Sequence, residues 1–181
     1  MKSLALMSII ILPCSFAGAG SYSNPTGRLF EAIGTGHIDQ VHKALALPEL
    51  NFTYRLDVAH FDGEDTAELC LVDYALWKGG EQAIAILEAL LNAGAPLHYG
   101  SYIRRGDRQR EKTNALRIAA EKKDLACVRF LFGKAAEKRT AWNLQPSFLQ
   151  NFGRGVYQRG QPVNPEAEEI YLTLQQCVIN N

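Results

Sequence analysis

The chain has 181 residues, with 19 Lys and Arg balanced by 19 Asp and Glu, so its formal charge at neutral pH is zero. That balance excludes a broad electrostatic footprint for nucleic acid or for an anionic membrane surface. Four cysteines in such a length exclude a disulfide-dense scaffold, and 47% hydrophobic residues suffice for one domain-sized core.

Residues 1–19 have the layout of a secretory signal. Lys2 supplies the positive start, residues 4–13 a short apolar run, and Ala17-Gly18-Ala19 the small residues of a cleavage site. The run is shorter than the roughly 20 residues a membrane span needs, so stable insertion after cleavage is not expected. Leu12-Pro13-Cys14 invites a lipidated Cys14, but Pro13 stands where a small residue belongs. The expectation is cleavage near Ala19 and a periplasmic protein, with a minor cytosolic form if initiation at Met7 drops Lys2. Beyond Cys14 remain Cys70, Cys127 and Cys177, an odd number. Cys70 and Cys127 sit inside helical patterns, where buried cysteine acts as a small hydrophobe.

A helical pattern then recurs three times. The first copy is Leu29-Phe30-Glu31-Ala32-Ile33, then Gly36-His37-Ile38, Val41 and Leu45. The second runs from Val72-Asp73-Tyr74-Ala75-Leu76-Trp77-Lys78-Gly79 to Leu90-Leu91-Asn92-Ala93-Gly94. The third is Asn114-Ala115-Leu116-Arg117-Ile118-Ala119-Ala120, then Lys123-Asp124-Leu125 and Val128-Arg129-Phe130-Leu131-Phe132. Each predicts a short helix, a tight turn and a longer second helix. Ile84, Leu87, Leu90 and Leu91 make one core stripe, and Val128, Leu131 and Phe132 another. Gly36 and Gly79 end first helices, and Gly94 caps a second helix. Lys123 stands in the equivalent glycine position of the third copy.

This unit resembles the ankyrin repeat over residues 27–134. The resemblance implies an all-α, ankyrin-like solenoid of about three helix-turn-helix repeats with long inserted finger loops. A helix pair cannot bury its apolar face alone, so neighbours stack. Ala32, Ala75 and Ala119 are 43 and 44 residues apart, against a family period of about 33. The extra residues fall to an added turn in the second helix of the second copy and to the connections 52–68 and 97–112. No copy holds the full Thr-Pro-Leu-His start. The implied organisation is a signal over 1–19, repeats over 20–139 and a C-terminal capping segment over 140–181.

Residues 140–163 show little periodicity, and Gly153-Arg154-Gly155 reads as a flexible turn. Asn164-Pro165-Glu166 then opens a helix with a cap, a first-turn proline and acidic residues. Ile170, Leu174 and Val178 give it an apolar face for covering the third repeat.

The two long connections carry opposite charge. One holds Asp57, Asp62, Glu64, Asp65 and Glu68 against Arg55. The other holds Arg104, Arg105, Arg108, Arg110 and Lys112 against Asp107 and Glu111. The resemblance implies adjacent fingers that contact a protein partner. Asp57, Asp62, Glu64, Asp65, Arg104, Arg105, Arg108 and Arg110, with the aromatics Phe61, Trp77, Tyr99 and Tyr102, make the candidate partner-binding set, since Arg and aromatic residues dominate interfaces. The alternatives are solvated loops that neutralise each other and aromatics that pack or anchor loops.

No metal or cofactor is expected. His37, His42, His60 and His98 lack zinc-site spacing, no paired Cys-x-x-Cys occurs, and Gly-x-Ser-x-Gly is absent. A binding protein, monomeric alone, is expected rather than an enzyme. Small exported proteins of this kind look like immunity proteins, which bind a cognate toxin encoded nearby and delivered by a type VI-type system, including lipase and phospholipase effectors. The alternatives are a periplasmic accessory or assembly factor and a host-directed secreted effector.

Overall fold

The computed structural model describes residues 24–179 except 62, 64, 107–109, 139–141, 143 and 159–160. The expected signal segment, with Cys14 and Met7, lies outside the described residues.

Six helices form three antiparallel pairs: α1 (Pro25–Thr35) with α2 (Ile38–Leu45), α3 (Leu71–Lys78) with α4 (Ala83–Asn92), and α5 (Ala115–Glu121) with α6 (Leu125–Glu137). First helices pack on first helices, α1 on α3 on α5, and second on second, α2 on α4 on α6. The caps follow from the side chains. Asn24 Oδ1 accepts from Gly27 N at 2.6 Å, Asn114 Oδ1 from Arg117 N at 3.0 Å, and Asp124 Oδ1 from Cys127 N at 2.9 Å. Each satisfies a backbone donor that a helix start leaves unpaired. Ala75, Ala119 and Ala120 are buried where first helices meet, and their small side chains permit that approach.

The second helix of the middle pair closes in a Schellman arrangement. Ala95 N donates to Leu90 O and Gly94 N to Leu91 O, with Gly94 at φ 98°. The turn after α5 is built the same way. Asp124 N donates to Ala119 O and Lys123 N to Ala120 O, and Lys123 takes φ 58° where glycine is usual.

Three expectations for the repeat region are corrected. The fold is not all-α, because both long connections are β-hairpins. Strands β1 (Leu56–Ala59), β2 (Thr66–Leu69), β3 (Ser101–Arg104) and β4 (Glu111–Thr113) form one antiparallel sheet in sequence order. The added turn of helix in the second copy is also absent: α4 has 10 residues and α6 has 13, so the extra length sits in the connection after α3. Finally, Ile84 is 36% exposed. The buried stripe of α4 is Ala83, Ile86, Leu87, Leu90 and Leu91, the i, i+3, i+4, i+7, i+8 face of a helix.

The C-terminal segment adds α7 (Pro146–Val156), a small hairpin of β5 (Tyr157–Gln158) and β6 (Gln161–Pro162), and α8 (Pro165–Ile179). The start of α8 is capped as expected, Asn164 Oδ1 accepting from Ala167 N at 2.6 Å. Ile170 and Leu174 are fully buried where α8 packs on α6 and α7. The side chain of Val178 lies outside the described residues. Gly153-Arg154-Gly155 is not a turn; it lies inside α7, with Gly153 against the Tyr171 ring.

Candidate functional site

Successive side chains of a strand point to opposite faces, and the register decides which face each takes here. Asp57 pairs with Glu68, Glu68 with Tyr102 and Tyr102 with Lys112 in one row. Ala59, Thr66 and Arg104 form the next. Val58, Ala67, Leu69 and Ile103 take the opposite face and are buried. The outer face holds a depression of about 320 Å³ whose polar lining is Asp57, Thr66, Glu68, Tyr102, Arg104 and Arg110. The first hairpin contributes the acids of this face and the second the bases. The two hairpins meet directly. Arg110 forms an ion pair with Glu68, and Asp65 Oδ1 accepts from Gly106 N at 3.1 Å. Part of the opposite charge is therefore spent within the molecule.

Tyr102 sits at the middle of the face, half-buried and held on two sides. The Arg110 guanidinium lies 3.9 Å from its ring centroid and that of Arg55 5.2 Å. Arg55 also lies 4.4 Å from the Tyr99 centroid, and its Nε donates to Gly100 O at 3.0 Å. Tyr99 thus packs as a loop anchor. Guanidinium-over-ring contacts of this kind contribute about 0.5–2 kcal/mol each.

The remaining candidates divide. Asp57, Tyr102, Arg104 and Arg110 come together at the depression. Phe61 and Trp77 do not. Their rings stack at 5.5 Å, Trp77 Nε1 donates to Phe61 O at 2.9 Å, and both pack against the core. They fasten the tip of the first hairpin to the end of α3. Arg105 turns back to Glu121 at 3.4 Å and Asp65 reaches the second hairpin. Asp62, Glu64 and Arg108 lie outside the described residues.

Asp73 escaped the sequence reading. It is 1% exposed on α3, directly behind the sheet. Burial pushes its carboxyl up to about 6, while hydrogen bonds from Ser101 and Cys70 and the charge of Arg55 pull it partly back. Its Oδ2 has no hydrogen-bond partner among the described residues. An acid inside the otherwise apolar Leu71-Val72-Asp73-Tyr74-Ala75-Leu76 run was the available signal. Ser101 Oγ also accepts from Cys70 N at 2.9 Å, so β3 is tied to the start of α3.

Cys70 and Cys127 are free and buried, and Cys177 is buried. Burial pushes the Cys127 thiol up to about 12 and that of Cys177 to about 11, and raises Cys70 further. None is a thiolate at neutral pH. Among the described residues no cluster of His, Cys, Asp and Glu is placed to hold a metal ion, and no helix is long and apolar enough to cross a membrane. No family model matches the chain, and no curated protein or solved structure is similar enough to count as a match.

Proposed function

We propose that the chain is an exported, ankyrin-like protein-binding module that acts as an immunity protein, binding a cognate secreted antibacterial toxin stoichiometrically and neutralising it. The observation that carries the binding part is the outer sheet face. Two hairpins from successive helix pairs join edge to edge, and the joint holds Tyr102 between two guanidiniums beside an open depression. A rigid aromatic flanked by arginines, on a scaffold of stacked helices, is the composition that recurs at the centre of protein interfaces. The stacking of like helices on like, with adjacent hairpins to one side, supports the ankyrin-like reading. The export and toxin parts rest on the leader over 1–19 and on the family resemblance, which also points to lipase or phospholipase effectors.

The test is co-expression with the product of the neighbouring gene, directed to the periplasm. The expected result is a neighbour toxic when exported alone, rescued by this chain, and co-purifying with it at equal stoichiometry. A harmless neighbour that forms no complex removes the immunity reading. Recovery of an endogenous envelope protein instead, with growth defects in deletion strains carrying no toxin, supports an accessory factor.

A further inference from the structure

The two halves of the sheet face are not equally spent. On the first hairpin, Glu68 is already paired with Arg110. On the second, Arg104 is exposed and has no ion pair among the described residues, and Lys112 is exposed beside Tyr102. The Arg110 guanidinium has five donors to offer, and the Glu68 pair occupies one side of it. What remains among the described residues of this half is positive. Among the described residues, the unpaired carboxylate that shares this face is Asp57, two strands away from β3, or about 10 Å.

We propose that the β3–β4 half of this face docks an acidic segment of a protein partner, with a carboxylate seated between Arg104 and Arg110 over the edge of the Tyr102 ring. The inference rests on the sheet face being the binding surface and adds the chemistry of what it binds. Three observations carry it. The first is charge: Arg104, Arg110 and Lys112 outweigh what the molecule itself neutralises there. The second is preorganisation. Arg110 is held by Glu68 and by stacking on Tyr102, and Arg55 holds the other side of that ring while bonded to Gly100 O. Ordering such long side chains on binding costs conformational entropy, and here much of that ordering precedes the partner. The third is size and rim. A depression of about 320 Å³ lies at the lower end of ligand pockets, about 300–1,000 Å³, and seats one or two side chains of a larger molecule. Asp57 and Glu68 on its rim disfavour a uniformly anionic ligand such as nucleic acid or a sulfated glycan. A polypeptide of mixed charge can place a basic residue over Asp57 and its acid over Arg104.

The test is a titration of the isotope-labelled chain, followed by amide resonances, with a capped pentapeptide of three acidic residues between glycines. A peptide with the acids replaced by their amides and another with lysines serve as controls. The acidic peptide is expected to give saturable shifts at Tyr102, Arg104 and Lys112 that weaken at high salt; the amide and lysine peptides are expected to give none. An Arg104→Glu, Lys112→Glu double variant is expected to lose the acidic peptide and to bind the lysine peptide. Both side chains are exposed, and an unchanged melting curve verifies folding. Absence of shifts, shifts elsewhere on the chain, or a double variant that still binds the acidic peptide overturns the proposal. So does a sulfated polysaccharide that binds the same residues as tightly. If the neighbouring gene product binds wild type and double variant equally, this inference fails while the protein-binding reading stands.

Discussion

Asp73 shows how one buried atom sets a pH dependence. In the unfolded chain its carboxyl ionises near the ordinary 3.8, and in the folded chain at about 6. Between those values the folded state holds a proton that the unfolded state has released. Its contribution to stability is therefore greatest below about pH 4, falls as pH rises to 6, and is lost above. Asp73→Asn removes the charge without removing the volume. It is expected to stabilise the protein by about 1–3 kcal/mol at pH 8 and by little at pH 4, measured by urea unfolding at both. Equal effects at the two pH values would show that the carboxyl titrates normally. Lys123 is a second residue-scale case. A left-handed conformation costs a residue with a Cβ roughly 1–2 kcal/mol, and glycine avoids most of it. Lys123→Gly should raise stability by about 0.5–1 kcal/mol, with Lys123→Ala giving no comparable gain. The turn forms with lysine because the flanking helices α5 and α6 are fixed by their packing, which outweighs a local preference.

The elements differ in how far their signals are local. The helix pairs were legible because an apolar stripe three to four residues apart survives in each copy. Yet Ile84 fits the same spacing and is 36% exposed, since it lies beside the buried face of Ala83, Ile86, Leu87, Leu90 and Leu91. Leu87→Ala is expected to cost about 2–5 kcal/mol and Ile84→Ala under about 1 kcal/mol, read from denaturant midpoints. The hairpins were not legible as strands. Leu56-Asp57-Val58-Ala59 and Thr66-Ala67-Glu68-Leu69 do alternate, but each is only four residues long. Their regular structure comes from pairing across the repeats, and the density of charge reads as loop. Of the charges singled out in sequence, Asp57 on β1 and Arg104 on β3 line the depression, whereas Trp77 and Phe61 fasten the hairpin tip, which folds back on α3. Helix α7 was hidden by Gly153 and Gly155. A methyl group on Gly153 would come within 2.7 Å of the Tyr171 ring, so the glycine is the contact that lets α7 lie on α8. Gly153→Ala, helix-favouring by propensity, is expected to destabilise by about 1–3 kcal/mol in thermal melts. A rise in melting temperature would mean that Tyr171 moves aside freely.

At the scale of the whole molecule, stability is a sum over neighbours. The middle helix pair is supported by the pairs on either side, and the last has α8 as its outer neighbour. Ile170 and Leu174 each remove a full side chain from water at that junction, worth about 1.5–3 kcal/mol apiece. A chain ended at Lys138 is expected to lose at least about 3 kcal/mol, with amide exchange in α6 accelerating more than in α1 or α2. Equal acceleration everywhere would indicate a single cooperative block in place of a stack. The covering role of α8 was legible in sequence, from its capped start and its four-residue apolar spacing. How it is held, through α7 and the contact of Tyr171 with Gly153, was not, because the two glycines of α7 hide the helix that the ring packs on.

The bond from Cys70 N to Ser101 Oγ has a consequence for the sheet as a whole. Side chains on a strand alternate, so a slip of β3 by one residue against β2 would carry Tyr102 and Arg104 inward and bring Ile103 out. Four-residue strands with polar outer faces resist such a slip poorly by themselves. A hydroxyl fixed to the N-cap of a helix selects one of the two parities, and with it which chemistry the molecule shows to its surroundings.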